Sequence, residues 1–135
     1  MKRKLIIYLI VSGIAMLLLT SCTDTDSQSK EWEQLGFSQN EILTLKACKK
    51  FVEDSSFSIK ENIDFNEVKI EPYDEKFDDM AHSIDDNKEL EITEHTNVIF
   101  IGDTSGQDYL QLIADMDTNA VIGTIYRKDY EEIIQ

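Results

Sequence analysis

The chain has 135 residues, of which 13 are Lys or Arg and 27 are Asp or Glu, so its formal net charge at pH 7 is −14. A protein with this excess of acidic residues is repelled by nucleic acids and by anionic lipid, and it favours cationic partners. The length suits one small domain with a single hydrophobic core.

The first 22 residues have the pattern of a bacterial export signal. Three basic residues at positions 2–4 precede an apolar stretch over residues 5–19, which is short for a membrane-spanning helix of about 20 residues. Leu19-Thr20-Ser21-Cys22 closes the pattern and resembles the lipobox of bacterial lipoproteins. That resemblance implies cleavage before Cys22 and attachment of a diacylglycerol to its sulfur.

A diacylated Cys22 anchors the chain, because two acyl chains hold a protein stably on a membrane. Removal of residues 1–21 leaves 10 of the 13 basic residues and all 27 acidic ones, a net charge of −17. Residues 22–31 are predicted to be the lipidated cysteine and a flexible polar tether, and residues 32–135 a single domain. We therefore expect an extracytoplasmic protein that is lipid-anchored in the cell membrane or the outer membrane.

A helix is predicted over residues 39–53. Ser38 and Glu41 have the spacing of a capping box, in which each side chain accepts a backbone hydrogen bond from the other residue. Apolar residues then recur at helical intervals. The residues of this stripe are Ile42, Leu45, Cys48 and Val52.

The second cysteine of the chain, Cys48, lies in this apolar stripe. With Cys22 lipidated it has no partner for an intramolecular disulfide, and its position predicts a buried, inert thiol. Trp32 and Leu35, which precede the helix, are interpreted as core residues.

The middle of the chain gives weaker patterns. Residues 54–72 are left open between strand and loop, although Val68 and Ile70 alternate with charged residues as in a short strand. Leu90 and Ile92 alternate with acidic residues, which predicts a half-buried strand. A helical stripe is predicted from the spacing of Tyr73, Phe77, Met80, Ala81 and Ile84.

The C-terminal part is predicted to be β-structure. Strands over residues 98–101, 109–116 and 121–126 are separated by short segments rich in turn-forming residues, which favours antiparallel neighbours. Residues 128–135 are predicted to form a final helical turn. The predicted fold class is α+β, with one or two helices packed on an antiparallel sheet of about four to five strands.

Two short motifs resemble functional loops, and each has a plainer interpretation. Residues 115–119 match the start of an EF-hand calcium loop, but Ala120 and Tyr126 stand where that loop needs Gly and Glu, which favours a hairpin turn. Ser105 lies in the glycine-containing segment 102–106, which is interpreted as a β-turn rather than the setting of a nucleophile.

A third motif could bind a divalent cation. Asp78, Asp79 and His82 lie within one turn of the predicted helix, and Asp86 follows four residues further on. A solvated acidic helix face is the preferred interpretation, because only one nitrogen ligand is present. The sequence therefore predicts no catalytic residue, no metal site and no cofactor.

The sheet region resembles the SUKH superfamily. The segments that carry the resemblance are the strand Val98-Ile99-Phe100-Ile101, the turn Gly102-Asp103-Thr104-Ser105-Gly106, the strand Tyr109-Leu110-Gln111-Leu112 and the hairpin strand Val121-Ile122-Gly123-Thr124-Ile125-Tyr126. Many bacterial members of this superfamily are immunity proteins that bind and neutralise a toxin. The resemblance implies a protein-binding domain without catalytic residues.

The leading hypothesis is a membrane-tethered protein that binds another protein, as an immunity or inhibitor protein neutralising a toxin. Its charge favours a basic toxin or envelope protein as partner and disfavours nucleic acid. Because loops and charged faces carry recognition, the interface is predicted to involve the turn 102–108 and the acidic segment 74–86. The candidate contact residues are Asp74, Asp78, Asp79, Asp103 and Asp108.

Two other functions fit the sequence. One is an accessory lipoprotein of an envelope secretion or conjugation machine. The other is a metal-dependent surface hydrolase that uses His82 with the neighbouring aspartates. A thermal melt with and without calcium or zinc separates the hydrolase from the binding proteins, since a resident metal stabilises the folded state.

Overall fold

The computed structural model describes residues 23–125. Cys22, Tyr126 and residues 128–135, for which the sequence predicts lipidation, the end of a strand and a final helical turn, lie outside this range. The described chain contains helices α1 (Thr23–Gln34) and α2 (Gln39–Asp54) and strands β1 (Val68–Pro72), β2 (Ala81–Ser83), β3 (Thr96–Gly102), β4 (Tyr109–Asp115) and β5 (Ala120–Ile125), with 3₁₀ helices at Ser58–Glu61 and Glu75–Met80.

The five strands form one antiparallel sheet in the order β1-β3-β4-β5-β2. Strands β3, β4 and β5 are neighbours because the turns between them are short, as the sequence predicts. β1 and β2 come from earlier in the chain and add to opposite edges. The predicted α+β fold class is confirmed, with two helices and five strands in the described residues.

The capping box predicted for α2 is present. The Ser38 side chain accepts a hydrogen bond from the Glu41 backbone N–H, and the Glu41 carboxylate accepts one from the Ser38 N–H at 2.7 Å. These bonds fix the start of the helix, so its apolar stripe faces the sheet. The buried residues of α2 are Ile42, Thr44, Leu45, Cys48 and Val52.

The helices cover one side of the sheet, which we call the inner face. The core there is formed by the α2 stripe and by alternate residues of β3 and β4, and it is joined by Trp32 of α1. Since successive side chains of a strand point to opposite faces, every second residue contributes. The sheet residues of this cluster are Ile99, Ile101, Leu110, Leu112 and Ala114.

Helix α1 occupies residues 23–31, where the sequence predicts a flexible tether. Trp32, near its C-terminal end, is 1% exposed, and its indole N–H donates a hydrogen bond to the Phe65 carbonyl oxygen at 2.8 Å. Docking of this side chain stabilises a helix whose polar composition alone does not predict it. Trp32 is a core residue as predicted, but the same prediction for Leu35 is wrong, because Leu35 is 58% exposed in the turn after α1.

Residues 115–119 form the hairpin turn that the sequence predicts instead of a calcium loop. The Asp115 carboxylate accepts hydrogen bonds from the Asp117 N–H at 2.9 Å and from the Thr118 hydroxyl at 2.9 Å. Asn119 has a φ of 53°, a left-handed conformation that Asn tolerates better than most residues. Its side-chain oxygen accepts a hydrogen bond from the buried Thr44 hydroxyl at 2.8 Å, which joins the turn to α2.

The opposite side of the sheet, the outer face, is covered by residues 73–95, which we call the covering segment. Since β1 and β2 lie at opposite edges, the chain crosses the sheet between them and then crosses back to β3. Phe77 is buried on the first crossing against Val98, Ile113 and Ile125.

The helix predicted from Tyr73 to Ile84 is wrong. The chain forms the 3₁₀ helix Glu75–Met80 and then turns into β2, whose backbone pairs with the edge of β5. Tyr73, Phe77 and Ala81 do pack on the sheet, so the apolar spacing correctly indicates that one side of the segment is buried. The fixed pairing with β5 prevents the helix from continuing, and Ile84 is 47% exposed.

The strand predicted around Leu90 and Ile92 is also absent from the described chain. Leu90 packs on the outer-face cluster, whereas Ile92 is 41% exposed. Of the two apolar residues in this alternation, only Leu90 therefore faces the sheet. No strand pairs with this segment within residues 23–125.

Within the same range, no helix is both long and apolar enough to cross a bilayer.

We expect Cys48 to resist thiol reagents in the native protein. Its side chain is fully buried, and burial raises the pKa of the thiol to about 12, so the reactive thiolate is scarce at neutral pH. Alkylation followed by peptide mass spectrometry should show modification of Cys48 in urea but little in buffer. Equal rates in the two conditions would contradict the buried position of this residue.

Candidate functional site

A cleft of about 510 Å³ lies on the outer face, between the covering segment and the ends of the central strands. We call it the outer cleft. Its walls are Ser83, Ile84, Asp85, Lys88, Glu89, Leu90, Glu91 and Thr93 from the covering segment, and Thr96, Asp115, Val121 and Ile122 from the sheet.

Backbone hydrogen bonds hold both ends of the cleft wall. The Ile84 N–H donates to the Ile122 carbonyl at 3.1 Å, so the wall begins as a continuation of the β2–β5 pairing. At the other end the Thr96 N–H donates to the Thr93 carbonyl at 3.1 Å, and the Thr96 hydroxyl accepts from the Thr93 N–H at 2.9 Å. The wall is thus fixed at two points with a loop between them.

Gly123 allows this loop to lie close to the sheet. A Cβ atom at this position would stand 2.9 Å from Cδ1 of Leu90 and 2.7 Å from the carbonyl oxygen of His82. Only glycine permits that approach without displacement of a neighbour. Leu90 therefore reaches the outer-face cluster and forms part of the apolar floor of the cleft.

The cleft is strongly acidic. Asp85, Glu89, Glu91 and Asp115 contribute four carboxylates, and Lys88 is the one basic side chain among the wall residues. Lys88 lies 3.5 Å from Asp85 in an exposed ion pair. Three carboxylates therefore remain without a cation from the cleft wall, and a cationic ligand would meet a negative potential there.

Local hydrogen bonds keep two of these carboxylates ionised. The Asn87 N–H, and to a lesser degree Lys88, lowers the pKa of Asp85 below its ordinary value of 3.8. The Asp117 N–H and the Thr118 hydroxyl lower the pKa of Asp115 in the same way. Both groups therefore become protonated at a lower pH than an ordinary aspartate does.

Apolar side chains accompany the charges. Leu90 and Ile122 are half-buried in the floor, and Ile84 is largely exposed at the edge of the cleft. Met80 and Ile92, on the same covering segment, are also exposed. An apolar floor with an acidic rim is suited to a ligand that presents both an apolar surface and a positive charge.

The aspartates predicted as contact residues do not line this cleft. Asp74, Asp78 and Asp79 lie just beyond the C-terminal end of β1, whereas Asp103 and Asp108 flank the turn at the opposite end of the β1–β3 pair. The structure therefore separates the predicted residues into two groups. All five are exposed.

Three of those aspartates have local structural roles. Asp74 accepts a hydrogen bond from the Lys76 N–H at the start of the 3₁₀ helix. Asp78 accepts one from the Tyr73 hydroxyl at 3.0 Å, and burial together with this bond raises the pKa of Tyr73 to about 12. Asp103 accepts bonds from the Ser105 hydroxyl and N–H, which lower its pKa.

The residues considered for metal or nucleophilic chemistry are placed as follows. Asp78 and Asp79 lie in the 3₁₀ helix, and His82 lies on β2. Within residues 23–125, no group of three or more His, Cys, Asp or Glu side chains is arranged to hold a metal ion. Ser105 donates its hydroxyl hydrogen bond to Asp103 at 2.5 Å, in the turn predicted for it.

Three acidic residues of the cleft, Glu89, Glu91 and Asp115, are absent from the sequence prediction of the site, whereas Asp85 lies within the predicted acidic segment 74–86. The signal that could have found two of them is the Glu89-Leu90-Glu91-Ile92 alternation, which on its own predicts a strand. Nothing local in the sequence places Asp115 opposite that segment, because the contact depends on the second crossing of the sheet. The chain matches no family model, no curated protein and no solved structure.

Proposed function

We propose that the chain is a lipid-anchored extracytoplasmic protein that binds a basic protein partner in the outer cleft, in an immunity or inhibitor role. The observation that carries this proposal is the cleft itself, where four carboxylates and one lysine surround an apolar floor. The proposed activity is stoichiometric recognition.

The charge distribution supports a cationic partner. Residues 66–125, which form the sheet and its cover, contain 15 acidic residues and 3 lysines. A field of this sign raises the association rate of a basic protein, and the hydrogen bonds that lower the pKa of Asp85 and Asp115 favour the charged form of both carboxylates. The apolar floor supplies contact area that charge alone does not.

The anchor and the sequence resemblance support an immunity role. A diacylated Cys22 would hold the binding domain at the surface where an incoming toxin first arrives. The resemblance of the β3–β5 region to SUKH strands points to the same activity, since many proteins of that superfamily neutralise toxins.

Charge reversal in the cleft should weaken partner binding. We expect the double variant Glu89→Lys/Glu91→Lys to bind the partner at least about tenfold more weakly than the wild type, because two attractive charges become repulsive. The measurement is capture from an envelope extract by immobilised wild-type protein, followed by titration of the captured protein against wild type and variants. Rising salt should reduce wild-type affinity.

The matched control is Asp79→Lys/Asp108→Lys. It changes the net charge by the same amount at two exposed carboxylates outside the cleft. An equal loss of affinity in this control would show that total charge, not the cleft, determines binding. Recovery of no partner by the wild type in repeated captures would remove the proposal.

Replacement of the anchor residue should abolish lipidation. We expect the N-terminal peptide of Cys22→Ala to carry no lipid mass, because the thiol that carries the lipid is gone. The mass of the N-terminal peptide from the native protein checks the same point and should show Cys22 with its lipid at the first position. A native peptide that begins before Cys22, or an unmodified thiol, contradicts the anchor.

A further inference from the structure

A second recess, of about 480 Å³, lies on the helix layer, on the other side of the sheet from the outer cleft. We call it the lysine groove. Gln28 and Trp32 of α1 form one side, and the C-terminal half of α2 forms the other side with Lys46, Lys49 and Lys50. Glu53 and Asp54 complete its wall.

The lysines are unevenly distributed over the domain. Five of the eight lysines in residues 23–125 lie between positions 30 and 60, on the helix layer, and three lie on the sheet and its cover. Over residues 23–65 the excess of acidic over basic residues is 4, whereas over residues 66–125 it is 12. The lysine groove is thus a local positive site on the less acidic side of the protein.

The ammonium groups of the groove are held weakly. Lys50 pairs with Asp54 at 2.6 Å and Lys49 with Glu53 at 3.7 Å, and these i,i+4 pairs have exposed partners, which makes them easy to exchange for another anion. The Lys49 ammonium also stands 5.4 Å from the centre of the Phe65 ring. Lys46 forms no ion pair with any residue of the described chain.

The groove lies beside the middle and the C-terminal half of α1. Gln28 lines it, and only five helical steps separate Gln28 from Thr23, a distance of about 8 Å along the helix axis. Thr23 directly follows the proposed anchor residue Cys22. Electrostatic attraction to a charged surface acts within about 10 Å at moderate salt, so the Gln28 end of the groove is within range of the membrane that holds the anchor.

We propose that the lysine groove contacts anionic phospholipid headgroups of the membrane to which Cys22 attaches the protein, so that the outer cleft faces away from the bilayer. This inference rests on the proposed anchor. The acidic sheet side is repelled by the same headgroups, so both charge effects favour one orientation. A partner that arrives from outside then meets the open cleft first.

The test is protection of lysines from an amine-reactive acetylating reagent. The full lipidated protein is reconstituted in vesicles of phosphatidylcholine alone or with one phosphatidylglycerol for every two phosphatidylcholine molecules, and acetylation is followed residue by residue by mass spectrometry. We expect at least about threefold slower acetylation of Lys46, Lys49 and Lys50 in the anionic vesicles, and a loss of that protection at high salt. Lys69, Lys76 and Lys88 on the sheet side are the internal control.

The second arm of the experiment uses a variant that lacks two of the groove lysines. Lys46→Gln/Lys50→Gln should keep the lipid on Cys22 and should lose protection of Lys49 in anionic vesicles. Equal acetylation of the groove lysines in both vesicle types would overturn the inference, as would equal protection of the sheet lysines. Protection that requires an added acidic protein instead of phosphatidylglycerol would also overturn it.

The two proposals fail separately in this design. The mass of the N-terminal peptide reports the anchor, whereas the acetylation ratio between vesicle types reports headgroup contact for whatever protein sediments with the vesicles. A lipidated protein with equal acetylation keeps the proposed anchor and loses the headgroup contact.

Discussion

Replacement of Trp32 by Ala should lower the free energy of unfolding by about 3–5 kcal/mol, the usual cost of removing a large buried aromatic side chain. Trp32 is 1% exposed and packs in the inner-face core. The variant also leaves the Phe65 carbonyl oxygen without the hydrogen bond from the indole N–H. Urea denaturation followed by circular dichroism measures the loss.

Leu35→Ala is the matched control for this prediction. Leu35 lies three residues further along the chain but is 58% exposed, so its truncation should change the unfolding free energy by about 0.5 kcal/mol or less. Trp32→Phe keeps an aromatic ring and removes the indole donor, which separates packing from the hydrogen bond. Similar small losses for Trp32→Ala and Leu35→Ala would mean that α1 is not part of the folded core.

Gly102→Ala should be the second strongly destabilising change, with an expected loss of about 2–4 kcal/mol. Gly102 has a φ of 101°, which side-chain-bearing residues rarely adopt, and an added Cβ would stand 2.3 Å from the Asp108 carbonyl oxygen. The clash is with backbone, so relief requires the β3–β4 turn to move. Urea denaturation again gives the loss.

Substitutions at two other glycines distinguish the cost of the positive φ from the cost of the steric clash. Gly36 also has a positive φ, 95°, but open space surrounds the position of its missing Cβ, so Gly36→Ala should cost only about 1 kcal/mol for the backbone conformation. Gly106→Ala meets ordinary contacts at 3.6 Å or more and should be close to neutral. A Gly102→Ala variant as stable as Gly106→Ala would contradict the geometry of the turn.

The parts of the fold that local sequence determines were predictable. Ser38 and Glu41 specify the start of α2 through two short-range hydrogen bonds, and the turns on either side of β4 allow only antiparallel neighbours. The covering segment differs because its conformation depends on distant pairing. The spacing of Tyr73, Phe77 and Ala81 fits a helix, but the edge of β5 selects a short strand instead.

For the candidate site, the sequence predicts the acidic character but not the positions of the residues that form it. Composition indicates an acidic surface, and the acidic residues Glu89 and Glu91 mark positions exposed to solvent. The position of Asp115 opposite these residues follows from the return crossing over the sheet, which has no local pattern. Similarly, one tryptophan at the end of a polar stretch determines that α1 docks.

The two faces of the sheet pack against different parts of the chain: the inner face against the helices, the outer face against the covering segment. The inner-face cluster contains no residue of the covering segment, so packing against the helices is complete without it. Sequence drift in residues 73–95 can therefore proceed at little expense to the helix-side core. For the proposed immunity role, substitutions in residues 83–93 can therefore change most of the wall of the outer cleft without altering the helix-side core.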